Sequence, residues 1–193
     1  GIGMGNKISV INDAAAVNFL GTRAFSHGGR IGDNSNYYST NLTGAGYNNI
    51  VHLDIVTRSN STRADNVFSY ASEVGFQATG VRGSTVLSIG ASDTGNVSVE
   101  DMYTFNCATL GAATSHGTIT GVLTAGEDAR MNRGGLSDGD RCVAAATFDY
   151  QGSPNTLAGT ILYASIQNSG NAIDFGDLDQ DRIEPSSTND NTR

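Results

Sequence analysis

The stretch that decides the fold is residues 163–176, YASIQNSGNAIDFG, because residues 104–117, TFNCATLGAATSHG, match it. Aligned without gaps, both stretches have glycine at the eighth and fourteenth positions and alanine at the tenth. Residues 7–20, KISVINDAAAVNFL, share that alanine and also the phenylalanine at the thirteenth position of the first stretch. A weaker fourth copy, LDIVTRSNSTRADNVF at 53–68, needs a shift of register. Such self-similarity predicts a repeated structural unit.

A second feature recurs after the first: an Arg, a polar turn, and another Arg eleven positions later. It occurs as RMNRGGLSDGDR at residues 130–141 and as RIEPSSTNDNTR at residues 182–193. Arg82, in VRGSTVLSIGA, is assigned to the same point of an earlier unit, where a Gly-containing apolar strand follows. The two features together indicate that each unit contains several short strands joined by polar turns.

The spacing of the units predicts the fold. The 97 residues from Phe19 to His116 leave room for two units of about 48 residues, the length of a β-propeller blade of four short strands. The sequence therefore predicts one all-β domain over residues 1–193, a β-propeller of about four four-stranded blades. Residues 2–10 are expected to pair within the blade that contains residues 183–193, which closes the ring and removes two sheet edges. The alternative is a part of a larger propeller, or a curved array whose other blades lie elsewhere.

One segment carries a competing helix signal. Residues 12–25, NDAAAVNFLGTRAF, begin with an Asp cap before three alanines. The matching stretch NSGNAIDFGDL at 168–178 has poor helix propensity, so the repeat favours a strand here, with room for a single helical turn.

Composition and charge exclude several classes of partner. The formal net charge is −8 and the 11 basic residues are scattered, so no basic stripe is available to bind nucleic acid or an anionic membrane surface. No apolar run approaches the roughly 18 residues that a membrane span needs. Cys107 and Cys142 make no zinc pattern and are expected to be small buried strand residues. Their spacing alone does not decide whether they form a disulfide.

The last unit reads GNAIDFGDL at residues 170–178 and is followed by Arg182. It resembles the kelch-like propeller repeats of structural proteins of tailed bacteriophages, particularly marine ones, in which a strand ends in GNATDFGDL before an Arg and a polar turn. LGAATSHG at 110–117, followed by GDR at 139–141, is a fair match, and VNFLGTR at 17–23 is a partial one. The resemblance implies a propeller within a virion, and it implies no catalytic residues.

An acidic run near the end of the chain has two interpretations. Asp177, Asp179 and Asp181 stand at alternate positions, which begins like a calcium loop. The sixth position, where such a loop needs Gly, is Arg182, and the twelfth is Thr188 in place of Glu. The run is therefore expected to be a solvated turn of the repeat, with calcium as the alternative. No metal and no cofactor is predicted.

The histidines offer little support for catalysis. His27, His52 and His116 have no other ligand-type residue at metal-ligand spacing. FSHG and TSHG place Ser beside His, but adjacent residues rarely form a nucleophile–base pair. His116 replaces the Phe of the repeat and is expected to be a packed aromatic position. The sequence therefore predicts that the protein is not an enzyme.

Two stretches are predicted to contact partners. The first is residues 33–40, within GDNSNYYST, a long polar turn whose tyrosines and amides suit sugar binding, or a rim strand with one Tyr packed inward. Residues 148–160, FDYQGSPNTLAGT, depart from the repeat. The candidate partner or glycan contacts in these stretches are Asn36, Tyr37, Tyr38, Tyr150 and Asn155.

The observations together predict a non-enzymatic virion protein: a tail, fibre or capsid-surface module that acts in particle assembly and in host-surface attachment. Its expected partners are other virion proteins, in multiple symmetry-related copies, and a host-surface glycan. A secreted carbohydrate-binding propeller is the alternative, and an enzyme with its site on the propeller axis is the third option.

Overall fold

The computed structural model describes residues 67–68, 78–91, 99–123, 135–145 and 159–180 in full, and elsewhere the backbone of the strands named below. The first sheet is an antiparallel meander in the order β2-β3-β5-β6, and β1 pairs with β4 at the open end of the β2–β3 hairpin. The strands of this region are β1 (Ile11–Asn12), β2 (Ala16–Leu20), β3 (Arg23–His27), β4 (Arg30–Ile31), β5 (Ile50–Asp54) and β6 (Thr62–Ala64).

The second sheet repeats this meander. β7 and β8 pair with successive parts of β9 in one continuous register, so they act as a single interrupted first strand, and β9, β10 and β11 follow in order. The strands are β7 (Val74–Gly75), β8 (Ala78–Arg82), β9 (Thr85–Asp93), β10 (Ser98–Asn106) and β11 (Thr114–Thr118).

The third sheet has the order β12-β13-β16-β17, again antiparallel. A short hairpin, β14 with β15, lies between its second and third strands, so the stretch 148–160 extends the β13–β16 hairpin and ends in the third strand. The strands are β12 (Gly135–Ser137), β13 (Arg141–Ala145), β14 (Phe148–Asp149), β15 (Thr156–Leu157), β16 (Thr160–Ser165) and β17 (Ile173–Asp177).

The described region is therefore all-β, as predicted, and is built from four-stranded antiparallel sheets with no helix among the described residues. The stretches 104–117 and 163–176 occupy the same place in successive sheets, from the end of the third strand into the fourth. The third strand ends at Asn106 and at Ser165, and the fourth begins at Thr114 and at Ile173. The gap-free alignment of these two stretches thus pairs equivalent strands.

The equivalence extends to a β-bulge in the fourth strand. Met102 pairs with Gly117 while Tyr103 pairs with Ser115, so the residue between Ser115 and Gly117 has no partner on the neighbouring strand. In the third sheet Ile161 pairs with Gly176 while Leu162 pairs with Asp174. The bulged residues are His116 and Phe175, and each is followed by a glycine with positive φ, 155° at Gly117 and 129° at Gly176. Bulges of this kind bend a strand and raise its twist.

Two of the sequence predictions were wrong in detail. Residues 7–20 do not repeat the third and fourth strands, because 16–20 form the first strand of the first sheet. By contrast, the weaker copy at 53–68 does cover a third and a fourth strand, because it includes the end of β5 and the whole of β6 in the first sheet. Arg82 ends the first strand of its sheet, whereas Arg141 begins the second, so the two arginines lie on opposite sides of the hairpin turn.

Apolar side chains cover both faces of the second sheet. We call the face that packs on the third sheet its forward face and the opposite face its back face. Leu87, Ile89 and Met102 lie on the forward face and are 0% exposed. The third sheet meets them with its own back face, through Cys142, Ala144, Leu162, Ala164, Ile166 and Ala172. Each fully buried Leu, Ile or Met side chain stabilises this joint by about 1.5–3 kcal/mol.

The back face of the second sheet carries the other apolar cluster. Phe68, from the segment that follows the first sheet, packs edge-to-face on Tyr103 and Phe105, with ring centroids 6.2 and 5.4 Å apart. Cys107 lies in this cluster and Cys142 in the other, and both are free and buried. The expected burial of both cysteines is confirmed, and no disulfide joins them.

Candidate functional site

Hydrogen bonds to a single carboxylate hold the hairpin turn between β12 and β13. Asp138 Oδ1 accepts the backbone N–H groups of Asp140 at 2.9 Å and Arg141 at 2.7 Å. Its Oδ2 accepts Nε and Nη2 of the same arginine, at 3.0 and 2.8 Å. The backbone bond from Arg141, and then its guanidinium, favour the ionised form and hold the pKa of Asp138 below its ordinary value. A turn fixed in this way presents its backbone carbonyls to the neighbouring sheet.

Arg82 joins the second sheet to that turn. Its Nη1 donates to the carbonyl of Gly139 at 3.1 Å and forms an ion pair with Asp140. With its amide turned so that the oxygen faces Arg82, Gln167 accepts from the same guanidinium. Next to it, Ser137 Oγ donates to the carbonyl of Val81 at 2.9 Å. The charge of Arg82 is therefore already satisfied by acceptors of the third sheet.

The fourth strand of the second sheet makes a second polar joint, with the loop that links β16 and β17. His116 is 4% exposed, and its Nε2 lies 2.7 Å from the carbonyl oxygen of Ser165. The N–H of Gly170 donates to the carbonyl of His116 at 2.8 Å, and Ala172 donates to Thr118 at 3.0 Å. These bonds add a segment of the third sheet to the edge of β11.

This joint leaves no room for a side chain at Gly117. A Cβ built there would collide with the carbonyl group of Gly170. The first strand of the second sheet also lies close to the second strand of the third, because a Cβ at Gly80 would lie 2.6 Å from Cβ of Cys142. At both places a glycine allows the two sheets to approach each other closely.

An open cleft of about 530 Å³ runs along the same joint. Its lining is mostly polar and comes from the β8–β9 turn, from β10 and β11, and from the loop after β16. The lining residues are Arg82, Gly83, Ser84, Thr85, Thr104, His116, Ile166, Gln167 and Ser169. Hydroxyl and amide groups of this kind can hydrogen-bond a polyhydroxylated ligand. Ser115 is exposed while its neighbour His116 is buried against Ser165, so these adjacent residues do not form a nucleophile–base pair.

The third sheet has a forward face of its own, which carries exposed apolar side chains. Ile173 is 53% exposed and Phe175 is 56% exposed. Phe175 packs edge-to-face on Tyr163, with ring centroids 5.9 Å apart, and the guanidinium of Arg141 lies 5.7 Å from the centroid of the tyrosine ring. This forward face comprises Leu136, Val143, Ala145, Ile161, Tyr163, Ile173 and Phe175.

The predicted site residues fall mostly elsewhere. The five candidate contacts, Asn36, Tyr37, Tyr38, Tyr150 and Asn155, lie outside the described residues. So does Asp181 of the acidic run, while Asp177 ends β17 and Asp179 follows it, both exposed. Within the fully described ranges, no three His, Cys, Asp or Glu side chains come together as a metal site.

The forward face of the third sheet was not predicted, although the sequence contains a signal for it. β16 reads TILYAS, with Leu162 and Ala164 on one face and Ile161 and Tyr163 on the other. A strand with apolar residues on both faces is typical of a sheet that is covered on both sides. That pattern indicates a second neighbour for the third sheet.

Comparisons with known proteins bear on the fold alone. No family model matches the chain, and no curated protein matches it. Among solved structures, the structure of YjhT is similar, with a TM-score of 0.61 and 13% sequence identity over 88% of this chain. The matched part covers 57% of that structure, so the chain spans little more than half of its length. No described helix is long and apolar enough to cross a membrane.

Proposed function

We propose that this chain is a non-enzymatic structural module of a tailed-bacteriophage virion, built from propeller-type blades and acting in particle assembly. Its partners are other virion proteins in multiple symmetry-related copies, and its place is the virion surface, as a tail, fibre or capsid-surface part. Host-surface attachment through a glycan is the second part of the proposal.

The observation that carries the assembly role is the uncovered forward face of the third sheet. Contiguous apolar side chains at a surface mark sites of protein association. Phe175 and Ile173 expose more than half of their surface there, beside the half-buried ring of Tyr163. The virion context rests on the resemblance of residues 170–178 to phage propeller repeats.

The proposed propeller can be completed in two ways. In one, residues 2–10 and 183–193 close a four-bladed ring; these residues lie outside the described ones. In the other, the chain forms part of a larger ring. The matched part of the chain covers only 57% of the similar structure. That proportion favours the larger ring.

The virion assignment is tested by quantitative peptide mass spectrometry on particles of the phage that encodes the chain. Peptides from the chain should be recovered in a fixed ratio to the major capsid protein, and they should survive repeated gradient purification. Complete loss of the peptides on purification would show that the chain is not part of the particle, and this would refute the proposal.

A carbohydrate-binding propeller is the second candidate, and the polar cleft favours it. Thr104 contributes a hydroxyl to that cleft, whereas Asp101 is exposed on the same strand outside it. If the cleft holds a glycan, Thr104→Val should reduce binding on a glycan array and Asp101→Asn should not. Equal glycan binding by both variants would show that the cleft is not the glycan-binding site.

A further inference from the structure

We propose that the polar cleft between the second and third sheets binds a neutral saccharide, a ligand that carries hydroxyl groups and no ionised group. The inference deepens the glycan contact proposed above by naming the class of sugar and the groups that select it, and it rests on that proposal. The cleft is polar at positions where the repeat elsewhere is apolar or aromatic, although the two sheets share one architecture.

Two small side chains of the second sheet open the cleft. The strand registers make Thr85 equivalent to Arg141 of the third sheet, and Thr104 equivalent to Tyr163. In the third sheet the guanidinium of Arg141 lies 5.7 Å from the centroid of the Tyr163 ring, so two large side chains fill this end of the forward face. In the second sheet the two threonines leave that space to the cleft, which they line. The cleft therefore depends on the choice of side chain, on a backbone that both sheets share.

The loop after β16, which forms the opposite wall, shows the same exchange. Gln167 and Ser169 correspond, in the gap-free alignment, to Ala108 and Leu110 of the loop after β10. Leu110 packs against the apolar cluster on the back face of the second sheet, whereas Ser169 is exposed and lines the cleft. An apolar loop thus suits this place in the unit, so the fold does not require the polar one. Local departures from what a fold requires are expected at functional sites.

Hydroxyl groups in the cleft are available to a ligand. Those of Thr85, Thr104 and Ser169 have no hydrogen-bond partner among the described residues. A hydroxyl group both donates and accepts, so it can pair with a sugar hydroxyl in either sense. Ser84 Oγ accepts from Nδ2 of Asn106 at 3.2 Å and keeps its own proton to donate. The cleft volume of about 530 Å³ lies within the range of about 300–1,000 Å³ that is usual for small-molecule sites.

The charges around the cleft disfavour an acidic ligand. Arg82 is the cation of the lining, and Asp140 already forms an ion pair with it. Its Nη1 also donates to the carbonyl of Gly139 at 3.1 Å. A ligand carboxylate or phosphate would have to displace Asp140 from this guanidinium and approach a chain whose net charge is −8. A neutral sugar meets neither cost, so hydroxyl groups are the features that the cleft selects.

Two buried residues make the wall of the cleft rigid. His116 is 4% exposed, and its Nε2 lies 2.7 Å from the carbonyl oxygen of Ser165. Ile166 is 2% exposed, and its N–H donates to the carbonyl of Asp140 at 2.8 Å. A ligand that enters the cleft therefore meets groups that are already held in place, and its binding costs little ordering of side chains.

The test titrates the full chain, by isothermal calorimetry, with neutral gluco-, galacto-, manno- and xylo-oligosaccharides and then with the uronic-acid form of any sugar that binds. At least one neutral sugar should bind. Its Kd should change less than about twofold between about 0.05 and 0.5 M NaCl, because no ion pair forms with the ligand. The uronic-acid form should bind at least about tenfold more weakly, since its carboxylate must compete with Asp140 for Arg82.

Variants that exchange residues between the repeats locate the bound sugar. Thr104→Tyr and Ser169→Leu insert the residues that stand at the equivalent positions, Tyr163 and Leu110, and each should weaken binding at least about tenfold by filling the cleft and removing a hydroxyl group. Thr109→Tyr places the same ring on the exposed β10–β11 loop outside the cleft and should bind as the parent does. Thermal melting checks the fold of each variant. Ser169 lies on an exposed loop, so its variant remains informative if Thr104→Tyr is unstable.

Two results would overturn the inference and leave the glycan contact in place. The first is tighter binding of the uronic-acid form, with an affinity that falls as salt is added, because the cleft then recognises an anion through Arg82. The second is equal sugar binding by the parent and by both cleft variants, because the sugar then binds elsewhere on the chain. If none of the sugars binds, the glycan contact and this inference fail together, while recovery of the chain from virions is unaffected.

Discussion

Gly117→Ala and Gly176→Ala are expected to destabilise the chain by different amounts, although the two glycines hold the same place in successive sheets. Both follow the bulged residue of a fourth strand, with φ of 155° and 129°. At Gly176 no atom lies within 4 Å of an added Cβ. At Gly117 the added Cβ meets the backbone of Gly170, where the third sheet lies against the edge of β11. The pair therefore separates backbone strain from the contact between sheets.

The difference can be estimated from the structure. An alanine in a left-handed or otherwise unfavourable backbone costs about 1–2 kcal/mol, and both variants bear that cost. Relief of the collision at 117 costs about a further 1–3 kcal/mol, as for other overpacked positions. Moving the segment away also weakens the bonds from Gly170 to His116 and from Ala172 to Thr118, each worth about 0.5–1.5 kcal/mol. Gly117→Ala should thus lose about 2–6 kcal/mol more than Gly176→Ala.

Thermal and urea unfolding of the parent and the two variants, followed by far-UV circular dichroism, measure this difference. At about 2–4 °C per kcal/mol for a chain of this size, the Tm of Gly117→Ala should lie at least about 4 °C below that of Gly176→Ala. The urea m-value of Gly176→Ala should match that of the parent. Equal losses in the two variants would mean that the loop after β16 does not rest on β11, and the joint between the sheets would have to be redrawn.

Three further perturbations probe the polar contacts. His116→Phe keeps a ring but leaves the Ser165 carbonyl without its donor, so urea unfolding should show a loss of about 1–3 kcal/mol, with His116→Gln losing less; equal losses would speak against the hydrogen bond. The side chains of Arg82 and Asp140 are 40% and 76% exposed, so Asp140→Asn should cost less than about 1 kcal/mol and nothing measurable in 1 M NaCl; a larger, salt-independent loss would contradict a surface ion pair. The pKa of Asp138 is lowered in the folded state, so its stabilisation is present above the ordinary aspartate pKa of about 3.9 and is lost as the pH falls through the folded value. The Tm of Asp138→Asn should therefore fall less steeply than that of the parent below about pH 4, and parallel curves would contradict the assignment.

The repeat could be aligned from sequence because its bulge requires a glycine. Gly117 and Gly176 take positive φ at the same point of two strands, and glycine adopts that backbone with the least strain, so the shared residue type is visible without a structure. The two stretches around these glycines consequently align strand for strand. The same reasoning identified four-stranded units, because turns rich in Gly, Asn and Asp separate the strands.

The assignment of residues 7–20 failed for a complementary reason. Its match rests on Ala16 and Phe19, and alternating small and apolar residues occur in any strand that packs on both faces. Nothing local distinguishes a first strand from a fourth. Arg82 and Arg141 illustrate the same limit, since a polar residue suits either side of a hairpin turn.

The candidate site depends on contacts that no local pattern contains. Arg82 bonds a carbonyl 57 residues away, and His116 bonds one 49 residues away. The apolar residues of β16 could be identified from sequence, but the exposure of their forward face depends on whether another sheet is present. A two-sided apolar strand predicts two neighbours, and only the structure reveals that one of them is missing among the described sheets.

The bulged residue of each fourth strand matches in polarity the surface that packs on it. His116 reaches a carbonyl because the loop over it ends a strand at Ser165 and presents a backbone acceptor. Phe175 has no hydrogen-bonding group, and its ring packs edge-to-face on Tyr163 within an apolar face. A sheet that docks there must therefore meet the bulge with apolar surface, because a buried carbonyl over a phenylalanine would lose its hydrogen bond to water and gain none. The joint between the second and third sheets and the joint expected beyond the third are both apolar but differ at the bulge, where one has an imidazole and the other a phenyl ring. This difference makes the two faces distinguishable partners and disfavours pairing of the third sheet with the wrong sheet.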